Sequence, residues 1–292
     1  MTDAERRLLE QIRANPHDKQ VRRVYGDMLG ERGDERGEYT QIALQETWGD
    51  AKPRYDELSR REGEWAAELG LGTIFCQWHR GLPALISTDV DAFVSHAEAL
   101  ARLPIENVTL SGPRHATVES LCEALVAVSS PAFERLALLS LQLGADARHV
   151  FESRALAPLR YLHVRDDLRD SIASLGSTEH VRDLRELELP QCRIDDRGIS
   201  ALARSQRFAS LRSLSLRGND LGREGALALA TATGMPNLKR LDLVDNPFRS
   251  GGTHYTELSD DSDGVSGWYD NRYARETILA WFAHRPGLQV DL

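Results

Sequence analysis

The sequence predicts an α/β solenoid, with short parallel strands lining a concave side and helices a convex side, preceded by a small all-helical module. Three observations carry this. An eleven-residue pattern recurs three times at a spacing of 27 residues, and helical spacing fills the gaps between copies. The first 70 residues are helical in pattern and do not repeat. At 292 residues the chain is about twice an ordinary single domain, so one elongated array or two compact units would fit.

Taken in order, Leu8, Leu9 and Ile12 define a first helix ending at Asn15-Pro16, where proline stops it. A second helix runs from about Asp18, a capping residue type, through Val21, Val24, Tyr25 and Leu29 to Gly33. Gly33 and Gly37 are read as loop glycines. Residues 71–104 are read as a bridge and N-terminal cap, and residues 105–250 as repeats.

The clearest copies are Leu184-Arg-Glu-Leu187-Glu-Leu189-Pro-Gln-Cys192-Arg-Ile194, Leu211 through Asn219 to Leu221, and Leu238 through Asn246 to Phe248. Leucines at the fourth and sixth positions alternate along a strand and point into a core. Weaker copies begin at Leu159, Phe133 and Ile105, with Asp167, Leu141 and Pro113 at the ninth position, so their turns must be built differently. A second register, Leu136 to Leu141, fits the Phe133 copy equally well. Between strands, Gly222 to Ala230 is rich in Ala and Leu, and Asp195 or Asp196 can cap a helix carrying Ile199, Leu202 and Ala203.

Each clear copy fits L-x-x-L-x-L-x-x-(N/C)-x-L, which resembles the leucine-rich repeat family. The resemblance implies that Asn219 and Asn246 bond neighbouring carbonyls in a ladder. It also implies Cys192 as an accepted substitute with a weaker donor. Spacings of 25–28 with a full helix per repeat are similar to the ribonuclease-inhibitor subtype. A second resemblance covers Leu8 to Gln45. Asn15-Pro16-His-Asp18, Val24-Tyr25-Gly26-Asp27-Met28-Leu29 and Glu31-Arg32-Gly33-Asp34 look like the bacterial repeat-companion domain, a helical module that precedes such repeats. The chain departs from it at Gly26 to Leu29, where the family has Ala-Asp-Trp-Leu, and so loses an aromatic packing residue. Residues 79–110 look like the usual bridge into the repeats. Neither resemblance implies catalysis.

Beyond Phe248 the period breaks. Residues 251–292 are read as an acidic loop insertion (Glu257 to Gly264), an apolar helix from Arg275 to Phe282 sealed by Trp281 and Phe282, and a closing strand at Leu288 to Leu292.

Composition narrows the function classes. Hydrophobic residues at 41% with 28% charged describe a soluble folded chain, and no apolar run reaches the roughly 18 residues of a membrane span. Net charge is −9 and no long segment is basic, which argues against phosphate-backbone binding. Three scattered cysteines without C-x-x-C, behind a charged start with no signal-like stretch, predict a reducing, cytoplasmic setting and no metal site. Ser259, Asp261, Asp263, Gly264 and Asp270 fall on a calcium-loop frame, but Ser opens it and Asp closes it, so the stretch reads as a solvated loop. Cys76 and His79 read as packing residues of the cap, and no nucleotide or nucleophile-elbow motif is present.

The binding candidates come from the third, fifth and seventh positions, which point out of the sheet. The third-position row is Asn107, Arg135, Tyr161, Glu186, Ser213 and Arg240; the fifth is Thr109, Ala137, His163, Glu188, Ser215 and Asp242. The seventh is Ser111, Leu139, Arg165, Pro190, Arg217 and Val244. Tyr161, His163 and Arg165 combine an aromatic with cations, a composition enriched at binding hot spots. With Glu186, Glu188 and Arg217 on adjacent strands, and Arg240 and Asp242 beyond, they form the expected partner-binding patch. The expectation is a non-catalytic protein-binding scaffold, monomeric and without cofactor. The alternative is a regulator of a small GTPase, since repeats of the ribonuclease-inhibitor type also carry that activity.

Overall fold

A computed structural model describes residues 2–45, 47, 49–72, 74–248 and 271–292. Five helices come first: α1 (Asp3–Ala14), α2 (Lys19–Gly30), α3 (Glu35–Ala43), α4 (Lys52–Ser59) and α5 (Glu62–Glu68). Thr2 and Glu5 close a capping box on α1, while Asp18 and Asp34 cap α2 and α3 through their carboxylates. Helix α2 stops three residues short of Gly33. Gly37 lies inside α3, not in a loop, because the two helices cross closely there. A methyl group at Gly37 would come 2.5 Å from the Gly26 carbonyl oxygen and the Gly30 nitrogen.

The bridge segment is more ordered than its sequence implies. It forms an antiparallel hairpin of β1 (Phe75–His79) and β2 (Leu82–Thr88), then α6 (Val90–Ser95) and α7 (Ala97–Leu100). From β2 onward every pairing is parallel: β3 (Asn107–Ser111), β4 (Arg135–Leu139), β5 (Tyr161–Arg165), β6 (Glu186–Glu188), β7 (Ser213–Ser215), β8 (Arg240–Asp242) and β9 (Gln289–Asp291) stand in chain order in one nine-stranded sheet. Leu136 aligns with Leu162 and Leu138 with Val164, which fixes the register that starts at Phe133.

The intervening helices are α8 (Val118–Val128), α9 (Ala147–Phe151), α10 (Ile172–Ser177), α11 (Asp196–Arg204), α12 (Arg223–Ala230) and α13 (Asn271–Trp281). A full helix in every repeat does not hold: α9 and α10 have five and six residues, and 3-10 turns flank α9. Strand leucines and helix residues share one continuous core, in which Val108, Leu136, Leu162, Leu187, Leu214 and Leu241 are all buried. Phe282 is buried in that core and Trp281 packs against it. Among the described residues no helix is long and apolar enough to cross a membrane. The acidic stretch with Ser259, Asp261, Asp263, Gly264 and Asp270 lies outside the described residues.

The turns after the strands explain the ninth position. Asn219 accepts the Cys192 and Ile194 amide hydrogens through Oδ1, both at 3.0 Å, and donates through Nδ2 to the Leu189 and Leu216 carbonyls at 2.7 and 2.8 Å. Asn246 repeats the pattern one turn later, donating to Leu216 and Leu243 at 2.9 Å. The Cys192 thiol donates to the Val164 carbonyl at 3.1 Å, and burial pushes its pKa up to about 12. In the weaker repeat before it, the Asp166 carboxylate accepts the Leu143 amide hydrogen instead, at 3.2 Å. The residue just before the ninth position has positive φ in five copies, at Gly112, Ser140, Gln191, Gly218 and Asp245.

Two arginines anchor the helical module to the array. Arg13 reaches from α1 to the carbonyls of Ala101, Ala127, Val128 and Ser129, so a guanidinium meets the negative ends of α7 and α8. Arg22, wholly buried on α2, donates to the Pro16 and Arg80 carbonyls at 3.3 Å and stands 3.8 Å from the Glu106 carboxylate, which precedes β3. Burial lowers the Arg22 pKa to about 10, with Glu106 opposing the fall.

Candidate functional site

Helices bury one side of the sheet, and the third- and fifth-position side chains stand on the other, open side. In-register parallel pairing sets them in rows: Arg135, Tyr161, Glu186, Ser213 and Arg240 in one, and Ala137, His163, Glu188, Ser215 and Asp242 in the next.

At β4–β6 these rows knit together. The Tyr161 hydroxyl donates to Glu188 Oε2 at 2.8 Å, and the Arg135 guanidinium lies 4.0 Å from the Tyr161 ring centroid. His163 meets the Tyr161 ring edge-on at 6.5 Å between centroids, with Nδ1 3.6 Å from Glu188 Oε2. Burial, then the bond to Glu188, pushes the Tyr161 phenol up to about 12. Burial lowers the His163 pKa, against the pull of Glu188, and its Nε2 has no hydrogen-bond partner. A neutral imidazole thus sits beside a carboxylate that the tyrosine already holds.

The other expected residues are placed differently. Arg165 and Glu186 are exposed on β5 and β6 at the borders of this cluster. Arg217 lies beyond β7 and joins Asp242 and Asp245, each at 3.4 Å, while Ser215 donates to the same Asp242 oxygen at 3.1 Å. Asp242 belongs to this second cluster, and Arg240 is exposed on β8. The expected single patch is therefore two clusters on one face. Sequence reasoning left Arg135 out of the patch. The signal was available, since it holds the third position one strand before Tyr161. Among the described residues no group of three His, Cys, Asp or Glu side chains is placed to hold a metal ion. His79 bonds Glu106 at 2.8 Å, and burial raises the Cys76 pKa.

Residues 182–203 and 209–230 match the family model described as Leucine Rich repeat; they span the β6–α11 and β7–α12 units. No curated protein matches the chain. Two of its repeat units thus resemble leucine-rich repeats.

Proposed function

We propose that this leucine-rich-repeat chain is a non-catalytic scaffold that docks a protein partner on the open face of its sheet, in a reducing, cytoplasmic setting. The observation that carries this reading is the Arg135–Tyr161–Glu188–His163 cluster. It is an aromatic anchor held in place by a stacked cation and a carboxylate, with cationic Arg165 beside it. Pre-ordered side chains lose little entropy on binding, which favours such a cluster as an interface centre. Within the same proposal, the repeats belong to the ribonuclease-inhibitor-like subtype, and residues 1–70 are a companion module of the bacterial type that supports the array.

Titration calorimetry tests the reading, using a partner captured by the full chain. Tyr161→Ala and Arg165→Glu should each cost more than about 1 kcal/mol of affinity with little change in melting temperature. Unchanged affinity in both variants would overturn it.

A further inference from the structure

The open face begins earlier than the repeat spacing implies. Phe75 pairs with Ser87, which aligns with Thr109, and Gln77 pairs with Leu85, which aligns with Asn107. The β1–β2 hairpin therefore extends both outward rows. Phe75 is 61% exposed, the highest value among the large exposed hydrophobic side chains of the described residues, and half-buried Leu85 stands near it.

Charge along this face is polarised. Outward positions of β1–β5 carry the guanidinium groups of Arg135 and Arg165 and no carboxylate. Those of β6–β9, with Arg217 just beyond β7, carry Glu186, Glu188, Asp242 and Asp291 against Arg217 and Arg240, so carboxylates still outnumber cations there. Three of the carboxylates bordering the first half are already engaged: Glu106 by His79 and Arg22, Asp166 by the Leu143 amide, and Asp167 by Arg193.

We infer that the β1–β5 half of this face receives an acidic protein segment bearing an apolar side chain. Phe75 takes the apolar group, and Arg135 and Arg165 take the carboxylates. This rests on the binding role proposed above and adds the chemistry of the occupant. A nucleic acid or an anionic membrane would call for a longer run of cations than two arginines. At about 4.8 Å per strand, β4 and β5 lie roughly 14–19 Å from β1. An extended segment rising about 3.3 Å per residue covers that distance in four to six residues. The acidic residues of the occupant therefore fall about that far from its apolar anchor.

Selection from a random-peptide display library against the full chain tests this. Enriched peptides should hold an excess of Asp and Glu about four to six positions from an aromatic or aliphatic residue. Binding of a selected peptide should fall roughly tenfold or more in Phe75→Ala and in the Arg135→Glu/Arg165→Glu pair, and weaken with added salt. The charge-reversed pair should enrich basic peptides instead. Melting curves check that the variants fold, and exposed Phe75 gives a substitution that leaves the core untouched. Enriched peptides without acidic excess, yet sensitive to Tyr161→Ala, would overturn this occupant while leaving the binding role intact. Peptides indifferent to every open-face substitution would overturn both.

Discussion

Asp196 lies in the first turn of α11, yet its Oδ1 accepts the amide hydrogens of Gly222 and Gly225 at the start of α12, at 2.6 and 2.9 Å. Helix α12 has Gly222 at its N-cap and no side-chain cap of its own, so the preceding repeat supplies one. Asp195 caps α11 through the Gly198 amide at 2.9 Å. The adjacent aspartates, interchangeable by sequence alone, thus serve different helices. Asp196→Ala should cost about 1–2 kcal/mol, as for other lost N-caps. Gly225→Ala should destabilise too, although alanine is the better helix former by about 1 kcal/mol. Its methyl would stand 2.5 Å from Asp196 Oδ1 and 2.7 Å from Ile199 Cγ2. Urea denaturation of both variants measures this, and a stabilised Gly225→Ala would refute the packing.

Asn219→Ala should be more costly than an ordinary polar substitution. It would strip the buried Cys192 and Ile194 amides and the Leu189 carbonyl of this side-chain partner, while Leu216 keeps Asn246, a loss on the order of 2–4 kcal/mol. Leu214→Ala, which leaves a cavity, should cost about 2–5 kcal/mol. Denaturant unfolding of the two variants gives the comparison. An Asn219→Ala loss near zero would mean that water replaces the ladder.

The leucine spacing made this part of the fold legible, because alternation dictates which side chains face the core whatever the turns do. Other features depend on contacts that no short window contains. Positive φ at Ser140, Gln191 and Asp245 is imposed by the stacked turns on residues that do not advertise it. Gly37 reads as a loop glycine until α2 is seen to cross it. The hairpin at Phe75–Thr88 lacks the repeat pattern but joins the same sheet. At the site, the open-face rows were readable in the sequence. The division into two clusters was not, because it depends on which long side chains meet across strands.

Arg22→Ala should cost about 2–4 kcal/mol, since it removes a wholly buried side chain that bonds two carbonyls and stands beside half-buried Glu106. Glu106 would keep His79, 2.8 Å away, and the more distant charge of Arg80. Hydrogen exchange should show the loss concentrated where α2 meets the start of β3. A loss under about 1 kcal/mol, spread evenly, would contradict the anchoring role.

His163 gives a pH signature. Burial holds its native pKa below the unfolded value of about 6.5, so the unfolded chain binds a proton first as pH falls. Its neutral form contributes fully above that value, and stability declines as pH drops through it toward the native pKa. His163→Gln should flatten this part of the stability curve between about pH 7 and pH 5. Parallel wild-type and variant curves would remove the assignment.

In the function proposed above, the open face of the sheet, not the helical module, holds the partner. Quantitative affinity capture tests it with three full-length baits: wild type, Tyr161→Ala/Arg165→Glu, and Val24→Glu. Val24 is exposed on α2, in the helical module. Partners captured by wild type should be lost from the double variant and kept by Val24→Glu. Retention by the double variant with loss from Val24→Glu would place binding on the module and rule out the open face.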